Sequence, residues 1–76
     1  MITLRYFASL KEALNRSSEQ LNIVEPLTVL DVWQLANPDL LLAENMLTAV
    51  NMDYVPRTHF VHNGDEVAFF PPVTGG

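Results

Sequence analysis

The chain has 76 residues, nine acidic side chains against four basic ones for a formal charge of -5, 49% hydrophobic residues and no cysteine. Such a length suits one domain that buries about 60–65% of its unfolded surface, leaving little room for a deep enclosed active site. The missing cysteine rules out a disulfide framework, a thiolate metal site and a thiol nucleophile, and the acidic balance lacks the footprint of a nucleic-acid or anionic-membrane binder and favours a partner with basic surface.

A composition this apolar, with 17% charged residues, favours a folded globule over disorder. The start, Met1-Ile2-Thr3-Leu4-Arg5, has no basic stretch leading into a long apolar run, and no later run approaches the ~20 residues that span a bilayer. The expectation is a soluble protein, unprocessed at its N-terminus, in a reducing cytoplasmic setting.

Ile2, Leu4 and Tyr6 alternate with Thr3, Arg5 and Phe7, the period of a strand with one buried face. From Ala8 to Arg16 the pattern becomes helical, with Leu10 and Leu14 one turn apart and Glu12 placed to support Arg16. Leu21 and Ile23 predict a second strand, ended by Glu25-Pro26. Thr28 is the predicted N-cap of the next helix, with Asp31 completing a capping box and Leu27 stapling against Val32. Val29, Val32, Trp33 and Ala36 form its buried stripe, and Asn37-Pro38 ends it. No element is assigned to Asp39–Asn45. Met46 to Tyr54 reads as a strand, Pro56 to His62 as an edge segment, Asn63-Gly64-Asp65 as a tight turn and Glu66 to Phe70 as the last strand. Pro71-Pro72 removes two backbone donors and fixes an extended path, so residues 1–70 are read as the domain and 71–76 as an exposed flexible tail. This order of elements predicts an α+β architecture, a mixed sheet packed on one principal helix.

Two of the three glycines are the last two residues, Gly75 and Gly76. At an average glycine usage of about 7%, that pairing arises by chance in roughly 0.5% of chains. The run Gly64-Asp65-Glu66-Val67-Ala68-Phe69-Phe70-Pro71-Pro72-Val73-Thr74-Gly75-Gly76 closely resembles the ending of the small subunit of molybdopterin synthase, the MoaD family. Phe7-Ala8-Ser9-Leu10-Lys11-Glu12 and Ala49-Val50-Asn51 resemble the same family, whereas Asn15 to Asn45 departs from it, being shorter and cut by Pro38.

The resemblance implies a ubiquitin-like β-grasp fold with the first and last strands parallel in the middle of the sheet. It implies a sulfur carrier, not catalytic alone. A MoeB-like enzyme would adenylate Gly76 with ATP, and a sulfur donor would replace AMP to leave a thiocarboxylate. The large, MoaE-like synthase subunit, in a heterotetramer, would direct that sulfur to cyclic pyranopterin monophosphate to build the dithiolene of molybdopterin. No permanently bound cofactor and no metal are implied. Gly75 and Gly76 would enter the partner's channel, and Phe7, Phe70, Pro71, Pro72, Val73 and Thr74 would contact the partner.

The residues themselves add a docking patch. Alternation puts Val67 and Phe69 on one face of the last strand and Phe70 on the other with Glu66 and Ala68, while Phe7 follows Thr3 and Arg5. Phe7 also fits a helical stripe with Leu10 and Leu14, so core packing competes with docking there. His59 and His62 lack a third ligand and read as surface residues. Adjacent Asp65 and Glu66 point to opposite faces and make no acid–base pair. Trp33 sits on a core stripe, and Ser17, Ser18 and Thr74 have no assignable general base. A carrier for thiazole synthesis of the ThiS kind, a ubiquitin-like modifier and a structural domain ending fortuitously in glycines stand as alternatives.

Overall fold

The computed structural model describes residues 1–72. In chain order these form β1 (Ile2–Tyr6), α1 (Ala8–Leu14), β2 (Ser18–Leu21), β3 (Leu27–Thr28), α2 (Val29–Ala36), β4 (Leu47–Val50), β5 (Asp53–Tyr54), β6 (Phe60–Val61) and β7 (Glu66–Phe70). The main sheet runs β2-β1-β7-β4-β5, and β3 with β6 makes a second ribbon. β1 and β7 pair in parallel at its centre, Leu4 opposite Val67, while the other pairs are antiparallel. A parallel pair needs a long crossover, which the intervening chain with α2 provides. The result is the expected α+β β-grasp.

One face of the sheet is fully covered. Ile2, Leu4 and Tyr6 of β1 and Val67 and Phe69 of β7 are at most 1% exposed, against Val29, Val32 and Trp33 of α2. Tyr6 meets Trp33 edge-on at 6.2 Å, and Trp33 meets Phe69 at 5.0 Å, contacts worth about 0.5–1.5 kcal/mol each beyond the area they bury. The indole N–H donates to the Leu40 carbonyl at 2.7 Å, so burying Trp33 strands no donor. The start of α2 follows expectation: Thr28 Oγ1 accepts from the Asp31 N–H and Asp31 Oδ2 from the Thr28 N–H, a reciprocal capping box, with Leu27 and Val32 both buried in the core.

Several boundaries differ from expectation. α1 stops at Leu14 because Asn15 takes a left-handed conformation at φ 56°. Arg16 therefore leaves the helix and donates to Glu19 and Asn37, not to Glu12. Asn37 Nδ2 in turn reaches the Tyr6 hydroxyl, which donates to Glu19, so the buried polar groups of Tyr6 and Asn37 and the half-buried ones of Arg16 and Glu19 satisfy one another. β2 is Ser18–Leu21, earlier than Leu21–Ile23, because its register is set by antiparallel pairing with β1. Met46–Tyr54 is a hairpin and not one strand: Asn51 and Met52 both have positive φ, 50° and 73°, the signature of a two-residue turn whose twist suits the flanking strands. Within Pro56–His62 only Phe60–Val61 pairs, and its partner is β3 and not the main sheet. The 42–44 loop is held by Arg57, whose guanidinium donates to the carbonyls of Leu42, Ala43 and Glu44.

Candidate functional site

Among the described residues, the other face of the same sheet carries no helix. Its residues are those that alternate out of register with the core: Thr3 and Arg5 on β1, Glu66, Ala68 and Phe70 on β7, Leu47 and Ala49 on β4, and Tyr54 on β5. Register brings Phe70 opposite Leu47, and Tyr54 opposite Ala49, whose neighbour across β7 is Ala68. Two alanines on central strands leave a trough, and larger side chains wall it.

The walls are aromatic. Phe7 stands at the N-cap position of α1, makes no side-chain cap bond and is 42% exposed. Its ring meets the half-buried Phe70 edge-on at 6.2 Å, and Tyr54, 73% exposed, lies 5.7 Å from Phe70 on the other side. Arg5 reaches over the Phe7 ring at 5.7 Å and pairs with Glu66 at 3.7 Å. That ion pair is exposed and contributes at most about 1 kcal/mol, so it orients more than it stabilises. Met52, at the tip of the β4–β5 turn and almost fully exposed, completes a groove of about 460 Å³. The groove is largely apolar with one cation and one carboxylate, the make-up of a protein-docking surface.

Of the residues singled out from sequence, Phe7 and Phe70 are brought together, and β7 delivers the chain directly to Pro71 and Pro72, both half-buried. Val73, Thr74, Gly75 and Gly76, the part of the expected 71–76 tail beyond Pro72, lie outside the described residues. Tyr54 and Met52 were missed, because reading 46–54 as one strand hid the turn. Asn51 bolts that turn to β7: its N–H donates to the Glu66 carbonyl at 2.8 Å, its Oδ1 accepts from the Glu66 N–H and its Nδ2 donates to Asp65. An asparagine ahead of a polar, strand-like Asp53-Tyr54 was the available signal.

The remaining candidates fall elsewhere. Trp33 is core. His62 is exposed on the β6–β7 connection, where Nδ1 lies 2.6 Å from Glu25 Oε1. Hydrogen bonding to Glu25 holds the imidazole above its ordinary value, and the same bond, aided by Asn63, holds the Glu25 carboxyl below its own. Asp65 accepts from the His62 N–H and from Asn51, while Glu66 faces Arg5, so the two carboxylates do separate work. Among the described residues no three His, Cys, Asp or Glu side chains gather to hold a metal, and no helix is long and apolar enough to cross a membrane.

Comparison with known proteins gives a family and a fold. The profile of the ThiS family matches residues 4–76. Two curated molybdopterin synthase sulfur carrier subunits, from Haemophilus influenzae and Escherichia coli, are 50% and 52% identical over 46 residues, 60% of this chain and 52% of each relative. The chain thus matches about half the length of those relatives, and the expected likeness to MoaD proteins stands. Among solved structures, SAMP1 from Haloferax volcanii superposes with a TM-score of 0.83 at 23% identity, covering 99% of this chain and 98% of that one. Urm1 from Trypanosoma brucei gives 0.75 at 20% identity, covering 99% and 94%. A chain of the Amycolatopsis orientalis BexX/CysO complex gives 0.68 at 22% identity, covering 100% of both. At these identities the likeness establishes the ubiquitin-like fold.

Proposed function

Because this chain belongs to the ThiS family, we propose that it is the sulfur-carrying small subunit of a molybdopterin synthase, working through the carboxyl of Gly76. The observation that carries this reading is the aromatic groove of Phe7, Tyr54 and Phe70, set where β7 runs into Pro71-Pro72 and the Gly75-Gly76 ending. The sequence relatives named as molybdopterin synthase sulfur carriers support it.

A carboxylate is a poor electrophile. Adenylation with ATP, which releases pyrophosphate, makes one of its oxygens part of a leaving group, and attack on the acyl carbon by sulfide-level sulfur from a donor then expels AMP and leaves a thiocarboxylate, an anionic sulfur nucleophile at neutral pH. Glycine lets the acyl group pass a narrow channel because it has no side chain. Ordering each glycine costs about 0.5–1 kcal/mol more than ordering alanine, so contacts made by the folded domain must offset it. The groove supplies them: burying Phe70, Tyr54 and Phe7 against a large subunit aims the tail at the cyclic pyranopterin phosphate, for which the described residues of the carrier form no enclosed site.

Reconstitution with an adenylating enzyme, ATP, a sulfur donor and the large synthase subunit tests the reading. The charged carrier should convert cyclic pyranopterin monophosphate only with the large subunit present, and a chain lacking Gly76 should convert none. Turnover of a thiazole precursor with no dithiolene formed would assign the chain to thiazole synthesis instead, and lysine-linked products on many proteins would make it a modifier.

A further inference from the structure

The exposed large apolar residues are not all on the open sheet face. Val24, Leu35, Leu40 and Leu41 are 88%, 60%, 47% and 91% exposed and lie on the opposite, helical side. There α2 presents Gln34 and Leu35 outward between two grooves of about 460 Å³ each. The β2–β3 connection, with Ile23 and Val24, walls one; the turn after α2, with Leu40 and Leu41, walls the other; Gln34 lines both, so they form one continuous surface across the helix.

Its shape is fixed by bonds already described. Glu25, bonded to His62 and Asn63, pins the Val24 wall, and the Trp33 indole, bonded to the Leu40 carbonyl, pins the other. Acidic groups stand on this side: Asp31 lines the first groove and Asp39 adjoins Leu40 of the second, while no Lys or Arg lines either groove, Arg16 and Arg57 beside the second being engaged with Asn37 and with the carbonyls of Leu42, Ala43 and Glu44. A second copy of the chain would set these carboxylates against one another, which costs several kcal/mol at a docked interface.

We propose that this helical surface is a second docking site, for a protein segment that carries aliphatic side chains flanked by Lys or Arg. Aliphatic side chains fill the two grooves beside Gln34, and the basic ones answer Asp31 and Asp39. The two-layer fold puts this site on the far side of the domain from Phe7 and Phe70, so it remains open while the sheet face is engaged. One protein can then retain the carrier while another receives its tail. The site does not depend on the chemistry assigned to Gly76.

The test is a titration of the isotope-labelled full chain with two synthetic peptides that share the same leucines and differ only in flanking lysines or glutamates. The lysine peptide should shift amides at 22–24, 31–35 and 39–42, weaken as salt rises, and lose about tenfold or more in affinity with Leu41→Asp or Leu35→Asp, whose unchanged amide dispersion certifies the fold. The glutamate peptide should give no saturable shifts there. Equal response to both peptides, shifts centred on Phe7, Tyr54 and Phe70, or a concentration-dependent dimer without peptide would each overturn the proposal.

Discussion

Val67 and Phe69 differ from Ala68 and Phe70 by one step along β7, and the two pairs have opposite employment. The first pair is fully buried against α2 and β1; the second lines a groove that no part of the described domain covers. The open face keeps three aromatics beside two alanines, with no partner layer among the described residues. The core face explains why the chain folds, and the open face has no comparable role in folding. An apolar face that the fold leaves free, beside the exit of the last strand, is where a partner belongs.

The contrast can be broken by substitution. Phe69→Ala should cost about 3–5 kcal/mol, a large part of what so small a domain has, and denaturant unfolding should show it. Phe70→Asp should leave the domain folded by circular dichroism, with a smaller loss of stability than Phe69→Ala, while weakening binding of a large synthase subunit about tenfold or more by titration calorimetry; loss of folding would move Phe70 into the core and end the docking account. Tyr54→Ala should act in the same direction with a smaller effect, being at the rim. Thr28→Ala, which touches neither face of β7, should cost about 1 kcal/mol of stability through the lost cap and leave partner affinity alone.

The smallest effect belongs to Glu25 and His62. Since the imidazole is raised in the folded state, its contribution is complete below its ordinary 6.5 and is lost as pH rises through the folded value; since the carboxyl is lowered, its contribution is complete above 4.5 and is lost as pH falls through its folded value. Stability from the pair is therefore whole between those limits and declines on both sides. Glu25→Gln should flatten the decline above 6.5, which thermal melts across pH would register, while docking at the sheet face stays as it was. Tyr6, pushed up to about 12 chiefly by burial with Glu19 adding to it, contributes a further loss only as pH rises above 10.

The sequence displays this division unevenly. Alternation in Ile2–Tyr6 and Glu66–Phe70 shows both faces of the central pair because each residue's side follows from local geometry alone. The capping box of α2 is equally local. Tyr54 reaches the groove only through a turn in which a methionine, Met52, stands at positive φ, a conformation its side chain does not advertise. β3 and β6 are two residues each and exist only because they find one another across the chain. The departure of Arg16 toward Glu19 and Asn37 depends on where α1 stops, and its i,i+4 spacing to Glu12 pointed the other way.

Intact-mass and C-terminal fragment spectrometry of the chain, after incubation with an adenylating enzyme, ATP and a sulfur donor, bears on the carrier proposal most directly. One oxygen should be exchanged for one sulfur, located at Gly76, and removal of Gly76 or addition of a residue after it should abolish the exchange. An unchanged mass at Gly76 in a mixture that nonetheless forms dithiolene, or sulfur found on any other residue, would contradict it.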